Sequence, residues 1–386
     1  MLRDLTGTAV YMGLLAAFVG YSASFAIVLA GITAMGASPA QAATGLFFAT
    51  LGMGICSVWL PAVTRIPAAV AWSTPGAAFL ASTAVLPGGF AEAVGAMIFC
   101  AALIVLTGLI PALGRIVAAI PKPVANALLA GVIIKLCFAP AEAMGSVPLL
   151  VLPVLGAWLV GLYWHKLAAM PFAVIAFLVV LVVSAEPVGD GIQIDFPAFE
   201  PVTPIFTWTS AISVAVPLYL VTMAGQNIPG FAVLELNGFS ADRQPLIRNT
   251  GLMSTVIAPF GAVPVNMSAI TAAMMSGEDA GRDPGVRYWA AITSGIAYVA
   301  LAFAAGAVTA IAGLAPPGLI TTVAGLALVP ALVGSLSASF SEPAQLEAPA
   351  LTFLFAASGM TLLGISGAFW GLVIGAIVWI VKARQR

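Results

Sequence analysis

The sequence predicts an all-α polytopic membrane protein with about 14 transmembrane segments, arranged as two inverted repeats of seven. Three observations predict this class. The chain is 62% hydrophobic and 7% charged, its apolar runs are continuous, and two of those runs are interrupted in a similar way half a chain apart. A soluble domain carries about 25% charged residues, so this composition requires lipid as the solvent. A β-barrel would instead show alternating polarity in segments of about 10 residues.

Charges and clusters of Pro and Gly divide the chain into candidate spans. A helix that crosses a bilayer needs about 20 apolar residues, so some candidates are short or broken. The first seven candidates are 8–34, 40–60, a broken 66–84, 92–112, 123–140, 147–164 and 169–186. The second seven are 209–233, a short 246–259, a broken 262–276, 287–312, 317–335, 347–363 and 365–382. We therefore expect a first repeat over 1–186, an extracytoplasmic connector over 187–208 and a second repeat over 209–386.

The distribution of charge tests this count and orients the chain. With the N-terminus in the cytoplasm, 12 of the 13 Lys and Arg residues fall on the inner side, and only Lys135 lies within a span. The predicted outer loops hold acidic residues instead, namely Glu92, Glu142, Glu186, Asp190, Asp195 and Glu200. Positive charge collects on the cytoplasmic side of a membrane. We therefore expect both termini in the cytoplasm. Because seven is odd, the second repeat enters from the opposite face.

The two interrupted segments are the strongest indication of a binding site. In each, a short extended piece leads through small polar residues into a helical pattern. The residues concerned are Trp72, Ser73 and Thr74 in the first segment, and Asn266, Met267 and Ser268 in the second. Thr74 and Ser268 are 194 residues apart, close to the half-length of 193. Interrupted segments in corresponding positions of two halves indicate the binding site of a transporter.

Each interruption is expected to expose the start of a helix. Thr74 can cap free N–H groups there, and Pro75 suits the first helical turn. Asn266 or Ser268 would cap the second helix. A helix start carries unpaired N–H groups and about half a positive charge. Inverted symmetry would bring the two starts together, where they would bind an anion without a fixed Lys or Arg. The structural alternative is a pair of ordinary Pro-kinked helices.

Two further groups of residues are candidates for the same site. Gln226 and Asn227 are adjacent amides in a span, and they are costly in lipid unless they are paired. A packing hydrogen bond beside a kink at Pro229 is the alternative. Tyr21 and Phe25 are four residues apart and share a helix face, which would supply an apolar wall or simply pack in the core or against lipid. Trp72 is the better candidate for stacking on a ring.

Several kinds of function are not expected. The chain has no Gly-x-Ser-x-Gly elbow, and its single histidine, His165, lies in a predicted inner loop, so we do not expect an enzyme. Cys56, Cys100 and Cys137 lack metal-ligand spacing, and we expect no metal, cofactor or nucleic acid. Proton-driven carriers expose an intramembrane carboxylate or His. No acidic residue lies in the middle of a predicted span, so the sequence does not assign a proton site.

Three motifs make the chain recognisable. They are Arg65-Ile-Pro67-x-x-x-Ala71-Trp72-Ser73-Thr74-Pro75-Gly76, Gln226-Asn227-Ile-Pro229-Gly230 and Phe260-Gly261-Ala-x-Pro264-x-Asn266. They resemble the benzoate membrane transport protein (BenE-type) family over essentially the whole chain. That family is similar in architecture to nucleobase-ascorbate transporters and sulfate permeases. The resemblance implies a core domain of spans 1–4 and 8–11 and a gate domain of spans 5–7 and 12–14.

The resemblance also implies a site and an activity. Short strands would precede half-helices in spans 3 and 10, and substrate would sit between these spans with contacts from span 8. Those positions fall on Trp72 to Thr74, Asn266 to Ser268, and Gln226 with Asn227. Nucleobase relatives commonly carry acidic residues on spans 8 and 10. The amides on span 8 fit an anion instead, because a carboxylate there would repel it.

We therefore expect an importer of benzoate or a similar small aromatic carboxylate, working by proton symport and alternating access in the lipid bilayer. A carrier for another small anion or a nucleobase, or a passive channel of the same architecture, is the alternative. The sequence leaves homodimerisation open.

Overall fold

The computed structural model describes residues 4–165, 167–184, 199, 201–316 and 318–384. The predicted connector over 187–208 lies largely outside these residues. So do seven of the charges used to orient the chain, Arg3, Lys166, Arg386, Glu186, Asp190, Asp195 and Glu200.

The first half of the chain is mainly helical. Its helices are α1 (Gly7–Ser22), α2 (Phe25–Ala34), α3 (Pro39–Thr64), α4 (Thr74–Ser82), α5 (Gly89–Leu109), α6 (Pro111–Ala118), α7 (Lys122–Ser146), α8 (Pro148–Trp164) and α9 (Ala169–Ser184). A three-residue strand, β1 (Val70–Trp72), directly precedes α4.

The second half repeats this pattern of long helices with one short strand before a half-helix. Its helices are α10 (Trp208–Leu236), α11 (Arg243–Ile257), α12 (Ala269–Ser276), α13 (Tyr288–Ala302), α14 (Ala305–Gly313), α15 (Leu319–Ser339), α16 (Glu347–Ser358) and α17 (Gly367–Ala383). Its strands are β2 (Val265–Met267), β3 (Thr361–Leu362) and β4 (Ile365–Ser366). β3 and β4 form a small hairpin.

Seven helical segments of the described chain are long and apolar enough to cross a membrane, and α13 with α14, bent by 57°, would make an eighth. The chain is therefore a multi-pass helical membrane protein. Each of the predicted segments contains a helix. The number of membrane crossings stays a prediction, because several of these helices are shorter than the ~20 residues that a bilayer requires.

Local sequence explains the regular and irregular parts of these helices. α3 begins with a capping box in which the Ser38 hydroxyl accepts from the Gln41 N–H and the Gln41 side chain accepts from the Ser38 N–H. α10 contains two π-helical stretches, Ala211–Ala215 and Met223–Asn227. Each ends two residues before a proline, Pro217 or Pro229, which lacks the N–H that a regular α-helix would use.

The predicted first span, 8–34, matches one long apolar segment, Gly7–Ala34, which consists of α1 and α2 joined at Ala23 and Ser24. The structure corrects the predicted spans at two other places. The amphipathic helix α6 was not predicted. The predicted span 347–363 is too long, because α16 ends at Ser358 and the β3–β4 hairpin follows. Gly359 and Gly364, both with positive φ, make these turns.

The helices pack in two groups. In the first, α3 lies along α13, α5 lies along α11, and α1 packs on α13. In the second, α7 packs on α15 and α16, α16 on α17, and α8 on α9. Small residues allow the closest approaches, since a methyl group at Gly54 of α3 would come within 2.9 Å of the Val299 nitrogen in α13.

Candidate functional site

The two interrupted segments meet in a two-stranded antiparallel ribbon. Val70 pairs with Met267, Ala71 with Asn266 and Trp72 with Val265. Backbone bonds extend the ribbon at both ends, from Ser73 N–H to the Pro264 carbonyl (2.7 Å) and from Ser268 N–H to the Ala69 carbonyl (2.9 Å). Strands of three residues, at about 3.3 Å each, hold the starts of α4 and α12 within roughly 10 Å of each other.

Serine hydroxyls satisfy the outer edges of this ribbon. Ser57 of α3 donates to the Val70 carbonyl (3.1 Å) and accepts from the Val70 N–H (3.2 Å). Ser254 of α11 makes the same pair of bonds with Val265, at 3.2 and 2.9 Å. Irregular backbone in a membrane protein survives only where its polar groups find partners inside the protein. These two serines supply those partners.

Each half-helix has a serine at its N-cap. The Ser73 hydroxyl accepts from the Gly76 N–H (3.1 Å), and the Ser268 hydroxyl accepts from the Thr271 N–H (3.4 Å). The prediction that Thr74 caps α4 was wrong. Thr74 is the first helical residue, and because Pro75 has no N–H, the free donor is Gly76, which Ser73 reaches. For α12, the predicted alternative Ser268 is the cap, whereas Asn266 lies in the strand.

α10 contacts both half-helix starts. The Thr222 hydroxyl hydrogen-bonds the Ser73 hydroxyl at 2.7 Å. The Asn227 amide oxygen accepts from the Met267 N–H (3.1 Å), and the Gln226 oxygen lies 3.5 Å from the Ala269 nitrogen, at the first residue of α12. The second π-helical stretch carries both amides. Gln226 and Asn227 are therefore buried partners of the second break.

The broken first span supplies aromatic rings instead. Tyr21 stacks on Phe25 with ring centroids 5.9 Å apart, and its ring lies 5.3 Å from that of Trp72. The Trp72 indole N–H donates to the Ser24 hydroxyl (2.8 Å) at the α1–α2 junction. These side chains are buried. The three aromatic residues selected from the sequence thus form one cluster against β1.

The starts of α4 and α12 have no fixed charge nearby in sequence. No charged residue stands between Arg65 and Glu92 or between Arg248 and Glu278. The Thr271 hydroxyl, in the first turn of α12, is buried without a hydrogen-bond partner among the described residues. The arrangement therefore offers positive helix ends, an unused hydroxyl and an aromatic wall, which together suit a small anion with a ring.

A sequence profile of the family described as "Benzoate membrane transport protein" (BenE) matches residues 3–381. The chain belongs to this family. The recognition made from the three motifs is thus confirmed, and so is the expectation of a transport protein that is not an enzyme.

Two relatives of this BenE-family chain cover nearly all of it. "Inner membrane protein YdcO" of Escherichia coli strain K12 is 37% identical over 374 residues, which are 96% of this chain and 94% of that protein. "Benzoate membrane transport protein" of Acinetobacter baylyi is 29% identical over 388 residues, which are 100% of this chain and 97% of that protein.

Solved structures of other proteins share the fold of this chain. The chain matches SLC26A9 with a TM-score of 0.64 and 14% identity, covering 97% of this chain and 65% of that one. It matches the transmembrane domain of the cyanobacterial bicarbonate transporter BicA with a TM-score of 0.62 and 15% identity, covering 99% and 97%. At such identities the likeness establishes the fold alone, which is a mostly helical membrane transporter fold.

The structure of this BenE-family chain also identifies residues that the sequence did not select. Ser57 and Ser254 were missed because lone serines in apolar helices carry no pattern. Glu92 was assigned to an outer loop, but it is 3% exposed in the first turn of α5. Its carboxylate accepts from the Gly88 N–H and from the Thr207 hydroxyl, which explains how it tolerates burial.

Arg65 of the first motif binds Asp4 and Tyr288, which lie outside the ribbon. Its guanidinium donates to the Tyr288 hydroxyl (2.8 Å) and pairs with Asp4 (3.2 Å), and it lies over the Tyr288 ring at 5.0 Å. The Tyr288 hydroxyl, which donates to Asp4, and then Arg65 lower the pKa of the Asp4 carboxyl. We call this group the Asp4 clasp. No cluster of three or more His, Cys, Asp or Glu residues suited to a metal occurs in the described part of the chain.

Proposed function

We propose that this protein imports benzoate or a similar small aromatic carboxylate across a bacterial inner membrane, by proton symport and alternating access. The observation that carries the proposal is the antiparallel ribbon that holds two half-helix starts together. Two positive helix ends at one gap bind an anion reversibly, without the tight grip of a fixed cation. The names of the family and of the Acinetobacter baylyi relative point to benzoate.

The proposed site divides the substrate between two surfaces. Backbone N–H groups at the starts of α4 and α12 meet the carboxylate, with help from hydroxyls or amides of Thr74, Ser268 and Gln226. The ring meets Trp72, Tyr21 and Phe25. The remaining predicted residues, Ser73, Asn227, Asn266 and Met267, shape the ribbon that presents these groups. A benzoate ion has just these two chemical ends, one anionic and one apolar.

The proposed architecture has 14 membrane segments in two inverted repeats, with both termini in the cytoplasm. The two packing groups support the core of spans 1–4 and 8–11 and the gate of spans 5–7 and 12–14. The contacts within the first group are related by the repeat. Exchanging the two halves of the chain turns the packing of α3 on α13 into the packing of α11 on α5, and both contacts are present. A rigid movement of core against gate would open the site to alternate sides.

Proton coupling requires a titratable group inside the protein. Glu92 is the carboxylate residue that is buried among the described residues. The two groups that hydrogen-bond it are uncharged, and one of them, Thr207, caps α10, the helix that carries Gln226 and Asn227. Glu92→Gln in proteoliposomes tests this assignment. Benzoate uptake that no longer responds to a proton gradient would support it, and unchanged coupling would exclude it.

The transport experiment is uptake of radiolabelled benzoate into proteoliposomes, with and without an inward proton gradient. Accumulation above the external concentration that depends on the gradient supports symport. Equilibration without accumulation favours a passive channel.

A carrier for another anion is the second candidate, because the BicA and SLC26A9 structures of the same fold are named for anion transport. Bicarbonate, sulfate and uracil in the same assay separate that candidate from the first. If the folded protein takes up one of these solutes and does not take up benzoate, the proposal is overturned.

A further inference from the structure

A cavity of about 220 Å³ lies beside the second packing group. α7 and the hairpin between α16 and α17 line it from that group, and α4 and α10 line it from the other side. The lining side chains include Phe79, Thr83, Val132, Ser213, Met360 and Ser366. The charge pattern predicts that this end of the protein faces outward. We call this space the outer cavity.

The outer cavity approaches the candidate site along α4. Phe79 lies five residues after Thr74, and at 1.5 Å per residue this is about 8 Å along the helix. On α10, Ser213 lies on the same helix as Thr222, whose hydroxyl contacts Ser73. The Ser213 carbonyl accepts from the Ser366 hydroxyl at 2.8 Å, which ties the hairpin to α10. A solute in the outer cavity is thus one and a half helical turns from the start of α4.

Lys135 is the cation that stands beside this cavity. Val132, one turn earlier on α7, lines the cavity, and residues three apart on a helix share a face. The Lys135 ammonium lies against Gly359, another lining residue, so closely that a methyl group at position 359 would overlap it. None of the ion pairs between described residues includes Lys135, and no Asp or Glu is among the described residues that line the cavity. Within the described part of the chain, no carboxylate is therefore paired with its positive charge.

We propose that the outer cavity is the chamber through which carboxylate anions reach the site, and that Lys135 draws them into it. This inference rests on the proposed function, because it assigns an access route to the proposed carrier. Lys135 does not contact the ribbon, so it acts on the approach of the anion and not on its final binding. A purely structural role is the alternative, since the ammonium also lies at the C-terminus of α16 and stabilises that helix end.

Thiol labelling tests the electrostatic part without any transport. Thr361→Cys places a thiol on an exposed lining residue, in a background where Cys137, two residues from Lys135, is replaced by Ala. Impermeant thiosulfonates with a sulfonate or a trimethylammonium group are applied from outside. Lys135→Gln should lower the ratio of anionic to cationic labelling rates by about three- to tenfold, as one partly screened charge several ångströms away predicts. Lys135→Arg should keep the ratio, and so should Lys122→Gln at the other end of α7.

Benzoate uptake by the same variants tests the functional part. Lys135→Gln should raise the half-saturating external benzoate concentration by about two- to threefold and leave the maximal rate unchanged. This factor is the square root of the change in the labelling ratio, because the ratio contains the charge effect on an anion and the opposite effect on a cation. High salt should reduce the difference between this variant and the parent.

The outcomes separate the two proposals. An unchanged labelling ratio, or a Thr361→Cys protein whose new thiol does not react from outside, overturns the outer chamber even if benzoate is transported. A ratio that depends on Lys135 supports the chamber for small anions, even if the parent protein fails to carry benzoate and the proposed substrate is wrong. A Lys135→Gln protein that labels normally but loses maximal rate shows that the lysine only caps α16.

Discussion

The first and second breaks are built alike in the backbone and differently in the side chains around them. Both use a serine cap, a serine hydroxyl at the strand edge and a reciprocal backbone bond to the other segment. At the first break, α1 and α2 add aromatic rings and the Ser24 hydroxyl. At the second, α10 adds the amides of Gln226 and Asn227.

We call the backbone and serine contacts that both breaks share the frame. The aromatic residues at the first break give this frame an apolar side, and the amides at the second break give it a polar side. The shared parts satisfy backbone groups that would otherwise be unpaired inside a membrane protein. The parts that differ are free to match a substrate. A ring with one carboxylate is asymmetric in the same sense. Four changes, in order of expected effect, test whether the frame and the two sides have these separate roles.

The largest effect is expected from the shared frame, at Gly76. A Cβ there would come within 2.7 Å of Leu218 in α10 and 2.6 Å of the Ser73 hydroxyl. Gly76→Leu should therefore push α4 away from α10 and abolish benzoate uptake, at a stability cost of about 1–3 kcal/mol for overpacking. Gly156→Leu in α8 is the matched control, because nothing lies within 4 Å of its Cβ position. Normal uptake by folded Gly76→Leu protein would show that close packing of α4 on α10 is not required.

The next effect is expected from the polar side, at Asn227. Asn227→Leu leaves the buried Met267 N–H without its partner, which costs about 1–3 kcal/mol. Thermal unfolding in detergent should show the loss, and maximal uptake should fall with it. Asn237→Leu on the segment that follows α10 is the control, since the only hydrogen bond of its side chain to a described residue is the one it donates to the Val233 carbonyl one turn earlier. Equal losses from the two changes would contradict a special role for the second break.

A smaller and selective effect is expected from the apolar side. Phe25→Leu removes the ring that stacks on Tyr21 without breaking a hydrogen bond. An aromatic pair contributes about 0.5–1.5 kcal/mol, so benzoate affinity should fall about two- to tenfold. Competition by cyclohexanecarboxylate should change less, because that acid lacks an aromatic ring. Phe99→Leu in α5, whose ring contacts Phe206 instead, should leave both affinities unchanged. Equal weakening of both acids would argue against an aromatic wall.

The smallest effect is expected at the Asp4 clasp, outside both breaks. The Tyr288 hydroxyl and then Arg65 hold the pKa of Asp4 below its ordinary value of 3.8. A carboxyl whose pKa is lower in the folded than in the unfolded protein stabilises the fold at pH values above its ordinary pKa. This stabilisation is lost as the pH falls through the pKa of the folded protein. The melting temperature of the parent should therefore drop slightly more between pH 6 and pH 3 than that of Asp4→Asn. Identical drops would show that the clasp does not contribute to stability.

Local chemistry made much of this predictable from sequence. Proline, small polar residues and a spacing near half the chain length marked both breaks, and composition marked the apolar helices. Ser268 was among the expected caps because it precedes a helical run. Thr74 was preferred to Ser73 because its side chain is next to Pro75. Because Pro75 has no N–H, the first free donor is the Gly76 N–H, and the Ser73 hydroxyl is the group that accepts from it.

The remaining contacts depend on partners that are distant in the chain. The register of Ala71 with Asn266 joins residues half a chain apart, and no local pattern fixes it. Ser57 and Ser254 look like ordinary small residues until the strand edges lie beside them. Glu92 appeared to be a loop residue because a carboxylate in an apolar run is costly. The Gly88 N–H and the Thr207 hydroxyl, the second far away in sequence, remove much of that cost.

The central claim is that an aromatic carboxylate binds at the ribbon, with its charge at the helix starts and its ring on the aromatic side. The most direct measurement is a crystal structure with 4-bromobenzoate, in which anomalous scattering locates the bromine. We predict a bromine peak beside Trp72 and Tyr21, with the carboxylate next to the first residues of α4 and α12. A peak only in the outer cavity or on the lipid-facing surface, with the ribbon unoccupied at saturating ligand, would contradict the account.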